Sequence, residues 1–294
     1  MLLSVSVVVG VLSILVVCNA EYIKKKTTAY PYNIKGIIPT NDVEKLTGKT
    51  GGEWNWLFWK RLLENSAETS PISATDDIAI QYGPAFSFDT YESMGGLLFV
   101  GGVGCSRLED GCEPSSLKQR NITIDGDIVK FIAFPVFNLI SYSDEDGPTT
   151  VEICDDWEDT YKTDGFVIAK VEINGQILDG FTGDMNMKAP TDFFVRGDGN
   201  KYVEVHDNSM FAASRAGDTI AWEYMCPIGY YVFMEIEDYE ELDISFHGGL
   251  YDIETRELIF GLQIEYEISI DRKGKSVGYG DKRRSKRQHA ASYP

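Results

Sequence analysis

The densest group of acidic side chains lies near the middle of the chain. Asp144 and Asp146 fall in one short stretch, and Asp155, Asp156 and Asp159 fall in the next. Ca²⁺ takes several oxygen ligands, many of them carboxylates, and loops between strands can bring such groups to one point. We therefore predict a Ca²⁺ site at these five residues. A solvated acidic surface is the alternative, because neither stretch has the spacing of an EF-hand.

Aromatic and acidic side chains alternate in the segment GYYVFMEIE. In an extended strand, Tyr231, Phe233 and Glu235 point to the same side. Rings beside carboxylates are typical of a carbohydrate-binding groove, and a glycosidase needs two carboxylates across such a cleft. His247, in the following segment, is a further candidate ligand contact. An exposed strand face without a ligand is the alternative.

The sequence lacks the usual zinc signatures. Its three histidines are far apart, and neither His-x-His nor His-Glu-x-x-His occurs. We therefore predict no catalytic residue. A carbohydrate-active hydrolase or lyase that uses paired carboxylates is the alternative to a binding function.

Charge is unevenly distributed along the chain, which has 294 residues, 43% of them hydrophobic, and a formal net charge of −19. This hydrophobic content is enough to bury a core. Residues 21–60 carry +3, residues 61–270 carry −28 and residues 271–294 carry +6. The acidic body is therefore not expected to bind nucleic acid, whereas the basic tail has the charge to bind polyanions.

The first 20 residues are uncharged and largely apolar, and they end in Cys18-Asn19-Ala20. We interpret them as a secretory signal peptide that is cleaved after Ala20. The apolar run from Val5 to Val17 is shorter than the roughly 20 residues that span a bilayer. We therefore expect a protein that is secreted, or held in the lumen of the secretory pathway, without a transmembrane span.

Four cysteines remain after the signal peptide, and an even number in an oxidising compartment is typical of disulfides. Among the possible pairings we favour Cys105–Cys112, which closes a short loop, and Cys154–Cys226, which joins distant segments. The acceptor motif Asn121-Ile122-Thr123 predicts N-glycosylation of Asn121 in a surface turn.

The C-terminal tail is rich in Gly, Ser and basic residues and has no apolar periodicity, so we expect it to be disordered. Within it, Arg284-Ser285-Lys286-Arg287 resembles a furin-type processing site, with cleavage after Arg287. The alternative is a solvated polybasic segment that binds polyanions or lies on the acidic body of its own chain.

Helical patterns occur only near the N-terminus. Residues 41–44 match a capping box, and Gly48 is suited to end that short helix. Residues 53–66 form the clearest helix, with Trp54 and Phe58 on one apolar face. Its tryptophans either stack on sugar rings or close one end of a β core.

From about residue 78 onward the pattern predicts strands. Asn174-Gly175 between two apolar segments indicates a β-hairpin, and strict alternation from Leu258 to Ile270 indicates a strand with one buried face. We predict a mainly β protein, an antiparallel, jelly-roll-like β-sandwich with a short helical N-terminal segment. The predicted order is a signal peptide (1–20), an N-terminal extension (21–52), one β-sandwich domain (53–270) and a basic tail (271–294).

Two late segments carry a resemblance to a known group of proteins. Gly229–Met234, with the sequence GYYVFM, precedes Leu242–Gly249, with the sequence LDISFHGG. This pair resembles the GYWVFL-type strand and the HxIxFGG strand that end a group of uncharacterised secreted proteins, largely bacterial. Here Glu237–Glu241 stands where the group has a Pro-Gly-x-His turn. The resemblance covers about residues 53–270 and implies secretion and a β fold, but it transfers no catalytic residue.

These observations together predict a secreted, acidic protein with a binding role in the extracellular matrix or at the cell surface. Its expected partners are extracellular glycans or a mineral surface, with Ca²⁺ as the expected assisting ion.

Overall fold

A computed structural model describes residues 32–64, 87–89, 96–101, 103–106, 119–142, 149–163, 165–197, 202–207, 219–221 and 225–273. These residues are mainly β, with 53% strand and 22% helix, as the sequence predicts. The strands form two six-stranded sheets, neither of them closed, and one separate two-stranded pair.

The first sheet, sheet I, contains the early strands and the aromatic segment. Its strands are β1 Ile37–Ile38, β2 Ser87–Asp89, β3 Gly96–Phe99, β6 Val129–Tyr142, β9 Phe194–Arg196 and β12 Met225–Glu235. They run in the order β2, β3, β6, β12, β1, with β9 paired to β12 on the same edge as β1.

The second sheet, sheet II, contains the long alternating strand at the end of the described chain. Its strands are β4 Val103–Ser106, β5 Gln119–Asp125, β7 Gly165–Ile173, β8 Gln176–Thr182, β13 Glu241–Asp252 and β14 Leu258–Asp271. Their order is β4, β14, β13, β7, β8, with β5 paired to β14 on the same edge as β4. The separate pair is β10 Tyr202–Glu204 and β11 Thr219–Ala221.

Both sheets are mixed, which corrects the antiparallel prediction. Strand β3 runs parallel to β6, and β5 runs parallel to β14. The cause at β5 is a change of sheet: the turn 126–128 sends the chain from β5 in sheet II directly into β6 in sheet I. Because β5 and β6 lie in different sheets, these two consecutive strands are not neighbours.

The largest hydrophobic core takes side chains from both sheets. The Phe134 ring of β6 stacks on the Phe246 ring of β13, with 5.1 Å between centroids and 17° between planes. Beside this pair, a Cβ on Gly248 would collide with the carbonyl oxygen of Val136. A glycine at residue 248 therefore allows the backbone of β13 to approach that of β6.

Helix α1 spans Thr40–Thr47, helix α2 spans Gly51–Glu64 and helix α3 spans Thr150–Thr163. Gly48 ends α1 in the left-handed conformation, as predicted. The predicted capping box at residues 41–44 is wrong, because the helix begins at Thr40 after Pro39, which makes no side-chain cap bond.

A capping box does begin helix α2. The Thr50 amide donates to the Glu53 carboxylate at 2.8 Å, and the Glu53 amide donates to Thr50 Oγ1 at 3.1 Å. The apolar face of α2 packs on sheet I, with the Phe58 ring 5.2 Å from Phe99 and 6.1 Å from Tyr231. The tryptophans of α2 are buried, in agreement with a role in closing a β core.

Helix α3 differs from the sequence prediction, which places residues 155–159 in a loop between strands. A capping box at Thr149 and Glu152 begins it: the Thr149 amide donates to the Glu152 carboxylate at 2.8 Å. This S/T-x-x-E pattern, Thr149 to Glu152, directly precedes the acidic run in the sequence, so the start of the helix could have been predicted from it. Three of the five predicted metal ligands, Asp155, Asp156 and Asp159, lie on this helix.

Two strand predictions are confirmed. Asn174 and Gly175 form the β7–β8 turn with φ values of 50° and 77°, which suit a type I′ hairpin. In β14, Ile264 to Ile270 alternate between buried and more exposed positions, as the sequence pattern requires. Residues 32–47, assigned by sequence to an N-terminal extension, contribute Ile37, Ile38 and Val43 to the buried cores.

None of the helices in the described ranges has the length and hydrophobicity needed to cross a membrane.

Candidate binding face

The predicted Ca²⁺ ligands do not form a site within the described chain. Asp155, Asp156 and Asp159 lie exposed on α3, and the Arg196 guanidinium is 2.8 Å from the Asp155 carboxylate. Asp144 and Asp146 lie outside the described residues. Within the described part of the chain, no group of three His, Cys, Asp or Glu side chains could hold a metal ion.

The rings of the predicted aromatic groove are buried, which corrects that prediction. Tyr231 and Phe233 share one side of β12, as predicted, but that side faces helix α2 and not solvent. Glu235, at the end of the strand, is partly exposed. Two buried rings cannot stack on a sugar that arrives from solvent, so these residues do not form a carbohydrate-binding surface.

The Tyr231 hydroxyl is part of a buried polar network that joins α2 to sheet I. It donates to Asn55 Oδ1 at 2.7 Å and accepts from Asn138 Nδ2 at 3.1 Å. Asn55 Nδ2 donates in turn to the Pro227 carbonyl at 3.0 Å. Burial is the main reason that the pKa of Tyr231 is raised, so the side chain acts here as a neutral hydrogen-bonding group.

His247 lies in the middle of β13. It stands between Lys170 of β7 and Gln263 of β14, and its pKa is lowered because burial disfavours the charged imidazolium. It therefore lies on the face of sheet II that points away from the main core.

Five carboxylates share the outer face of sheet II, which we call the acidic face. Its members are Glu172 of β7, Glu241 and Asp243 of β13, and Glu265 and Glu267 of β14. The strand register places them together: Ser245 lies between Glu172 and Glu265, and Asp243 lies opposite Glu267. The opposite side of the same strands supplies the core residues, such as Ile244, so the acidic side points outward.

The acidic face carries little compensating positive charge. Lys170 Nζ lies 3.2 Å from the Glu172 carboxylate. Among the described residues, no Lys or Arg forms an ion pair with the other four carboxylates, and the Gln119 amide donates to Glu267 at 2.6 Å. Three of the five, Glu241, Asp243 and Glu267, are exposed. Within the described structure, the face therefore presents a net negative charge to solvent.

A cleft of about 640 Å³ lies at the end of the acidic face where the described chain ends. Its lining includes Asp125, Glu240, Glu241 and Asp271, together with Arg272 and Lys273. The pKa of the Asp125 carboxyl is lowered, first because the Asp127 amide donates to it and also because Lys273 Nζ is nearby, at 3.6 Å.

Arg272 directs the chain out of this cleft. Its guanidinium donates to the carbonyl oxygens of Tyr239 and Ile236, at 2.5 and 2.8 Å. The next amide, that of Lys273, donates to the Asp127 carboxylate at 2.8 Å. These bonds fix the position from which residues 274–294 continue.

The remaining predicted sites are the two disulfides, the glycosylation acceptor and the two processing sites. Cys154 of α3 and Cys226 of β12 form the predicted disulfide, with 5.4 Å between Cα atoms. Asn121 is exposed in strand β5, not in a turn, on the same face of the sheet as Glu267. The side chain of Cys105, and the residues Cys112, Ala20 and Arg287, lie outside the described part of the structure.

Local sequence patterns identify two of the five carboxylates of the acidic face. The alternation of β14 indicates that Glu265 and Glu267 point to water, but nothing local indicates that Asp243 and Glu172 join them. That information lies in the register of β13 against β14 and β7.

No family model, no curated protein and no solved structure matches this chain. The resemblance to secreted, largely bacterial proteins stays a prediction.

Proposed function

We propose that this is a secreted binding protein, which attaches through the acidic face of sheet II to extended cationic surfaces such as calcium mineral. In this proposal the two sheets form a β-sandwich, jelly-roll-like, and the acidic face is its open side. The protein acts without catalysis, and residues 1–20 serve as its signal peptide.

The arrangement of the carboxylates carries the proposal. Adjacent strands of a sheet lie roughly 4.8 Å apart, and alternate residues of one strand repeat at roughly 7 Å. Glu265 and Glu267 follow the second spacing on β14, and Asp243 is paired with Glu267 across the first. The result is a two-dimensional array of acidic groups on a sheet, which is suited to contact many cations at once.

An array differs from a single metal centre. A protein site for Ca²⁺ brings several oxygens to one point, whereas the five carboxylates of the acidic face project in parallel from different strands. Each can contact a different cation of a solid surface. This is why we favour a surface over a single bound ion; a Ca²⁺ site at Asp144, Asp146, Asp155, Asp156 and Asp159 stays a separate prediction.

Two further observations support this function over the alternatives. The disulfide Cys154–Cys226 is typical of proteins in oxidising compartments, which favours secretion. Burial of Tyr231 and Phe233 removes the aromatic stacking surface on which the glycan-binding prediction at β12 was based.

Adsorption to calcium carbonate crystals tests the proposal, with silica beads, which expose no lattice cations, as the reference surface. We compare the natural chain with the triple variant Asp243→Asn, Glu265→Gln and Glu267→Gln. Loss of three surface ion contacts should weaken adsorption by about tenfold. The isosteric amides keep the size of each side chain, and the amide introduced by Glu267→Gln retains an oxygen that can accept from Gln119.

A second triple variant is the matched control. Glu44→Gln, Asp207→Asn and Glu254→Gln remove the same charge from exposed positions on α1, after β10 and in the β13–β14 turn. Adsorption of this control should stay close to that of the natural chain. An equal loss in both triple variants would mean that net charge, not the acidic face, governs adsorption, and no adsorption by any form would overturn the proposed function.

A further inference from the structure

We infer that residues 274–287, a segment of the basic tail, dock across the acidic face of sheet II and cover it. This inference rests on the proposed function in that it assigns an occupant to the same face. The tail acts as an internal competitor: while it is in place, external cations meet a neutralised surface.

Charge complementarity is the first argument. Residues 274–287 contain six Lys and Arg against one acid, a balance of +5. The acidic face has five carboxylates, and among the described residues only Glu172 of these five has an ion-pair partner. The two charges are of opposite sign and similar size, so bringing them together reduces the repulsion within each segment.

The place where the described chain ends is the second argument. Lys273 lies beside Asp125 and Asp127, at the cleft that borders the acidic face. From Asp271 back to Glu265 is about 20 Å along β14. Residues 274–282 can reach roughly 30 Å when extended. The first basic cluster of the tail can therefore reach the carboxylates of β14 and β13.

The spacing of the basic residues is the third argument. In an extended segment, Lys282, Arg284 and Lys286 would point to one side at intervals of roughly 7 Å. Glu265 and Glu267 have the same interval on β14, as do Glu241 and Asp243 on β13. Alternate cations of the tail can thus meet alternate carboxylates of a strand.

Proteolytic processing at the predicted site would not remove this segment. Cleavage after Arg287 releases seven residues that contain no Lys, Arg, Asp or Glu. All six basic residues stay with the body, so processing shortens the tail and leaves the docking segment intact.

Zero-length cross-linking of the full chain tests the docking directly. A carbodiimide joins a lysine amine to a carboxylate as an amide, with loss of one water, only where the two groups are in contact. We expect peptides from the monomer band in which Lys282 or Lys286 is joined to β13 or β14, at Asp243, Glu265 or Glu267. Cross-links spread evenly over other acids, or none at all, would overturn docking.

A binding measurement with separate components provides the second test. The chain ending at Lys273 is titrated with a synthetic peptide of residues 274–287 at about 50 mM salt, where screening is weak. The Asp243→Asn, Glu265→Gln, Glu267→Gln triple variant should bind the peptide about tenfold more weakly. The Glu44→Gln, Asp207→Asn, Glu254→Gln control should bind it as the natural sequence does; equal weakening in both would overturn docking.

The outcomes separate this inference from the proposed function. Cross-links, with no adsorption to mineral by either the full chain or the chain ending at Lys273, would keep the docked tail and overturn the mineral function. Equal adsorption by the full chain and the chain ending at Lys273, without cross-links, would keep the mineral function and overturn docking. Cross-links found only in a dimer band would place the tail on a second copy and overturn docking within one chain.

Discussion

Asp243 of β13 and Glu267 of β14 lie directly opposite each other on the outer face of sheet II, and both side chains are exposed. Two carboxylates in this relationship repel each other and destabilise the strand pair. This pair therefore lowers the stability of the fold, which is consistent with a face whose carboxylates contact cations.

Replacing one of these carboxylates by a cation should stabilise the protein. Glu267→Lys places an ammonium opposite Asp243, which should raise the free energy of unfolding by roughly 0.2–1 kcal/mol. Denaturant unfolding of both chains measures the change. The control Glu254→Lys, in a turn, alters net charge equally and should have a smaller effect; an equal gain in both would attribute the effect to net charge.

Removing the Tyr231 hydroxyl should destabilise the contact between α2 and sheet I. Tyr231→Phe leaves Asn55 Oδ1 and Asn138 Nδ2 without this partner in a buried site. The expected cost is about 1–3 kcal/mol, measured by denaturant unfolding. Tyr230→Phe is the control, because it removes a hydroxyl from the neighbouring, less buried ring. A change no larger than that of the control would mean that water replaces the lost bond.

Breaking the disulfide should lower stability substantially. Cys154 and Cys226 are 72 residues apart, so their bond restricts a long loop in the unfolded chain. The double variant Cys154→Ala, Cys226→Ala should lose roughly 2–4 kcal/mol. Peptide mapping without reduction should recover the two segments as one linked product. Recovery of free thiols at both positions in the natural chain, purified without reductant, would contradict the pairing.

The capping box of α3 should make stability depend on pH in the acid range. Hydrogen bonds from the Thr149 amide and hydroxyl lower the pKa of Glu152 below its ordinary value of 4.5. A depressed pKa contributes stability above about pH 4.5, and this contribution is lost as pH falls through the folded-state value. Glu152→Gln should therefore be less stable than the natural chain near neutral pH. The difference should shrink on acidification, as measured by thermal unfolding; a difference that does not change with pH would contradict this.

Local sequence patterns are sufficient to predict those elements that are determined by their own side chains. Asn174-Gly175 adopts its turn because both residues tolerate positive φ, and β14 alternates because one of its sides is buried. Helix α2 is recognisable from the spacing of Trp54 and Phe58. In each case the deciding interactions lie within a few residues of one another.

Elements decided by distant contacts are not predictable in this way. The strand pattern places Tyr231 and Phe233 on one side, but only the position of α2 shows that this side is buried. The acidic run at Asp155 suggests a loop when charge is given more weight than the preceding Thr149–Glu152 pattern. The acidic face depends on the register of β13 with β14 and β7. That register cannot be predicted from the sequence of any one of these strands alone.

The pairing of β1 with β12 determines when this chain can complete its fold. Ile37 meets Met234, and β5 meets β14 in the same late part of the sequence. During synthesis helix α2, which carries the tryptophans, therefore emerges long before β12, one of the strands that cover it. Nearly the whole chain must be available before the first described strand finds its partner, so folding is expected to be slow and post-translational. A chaperone that binds residues 51–64 during this interval would protect the exposed apolar face of α2.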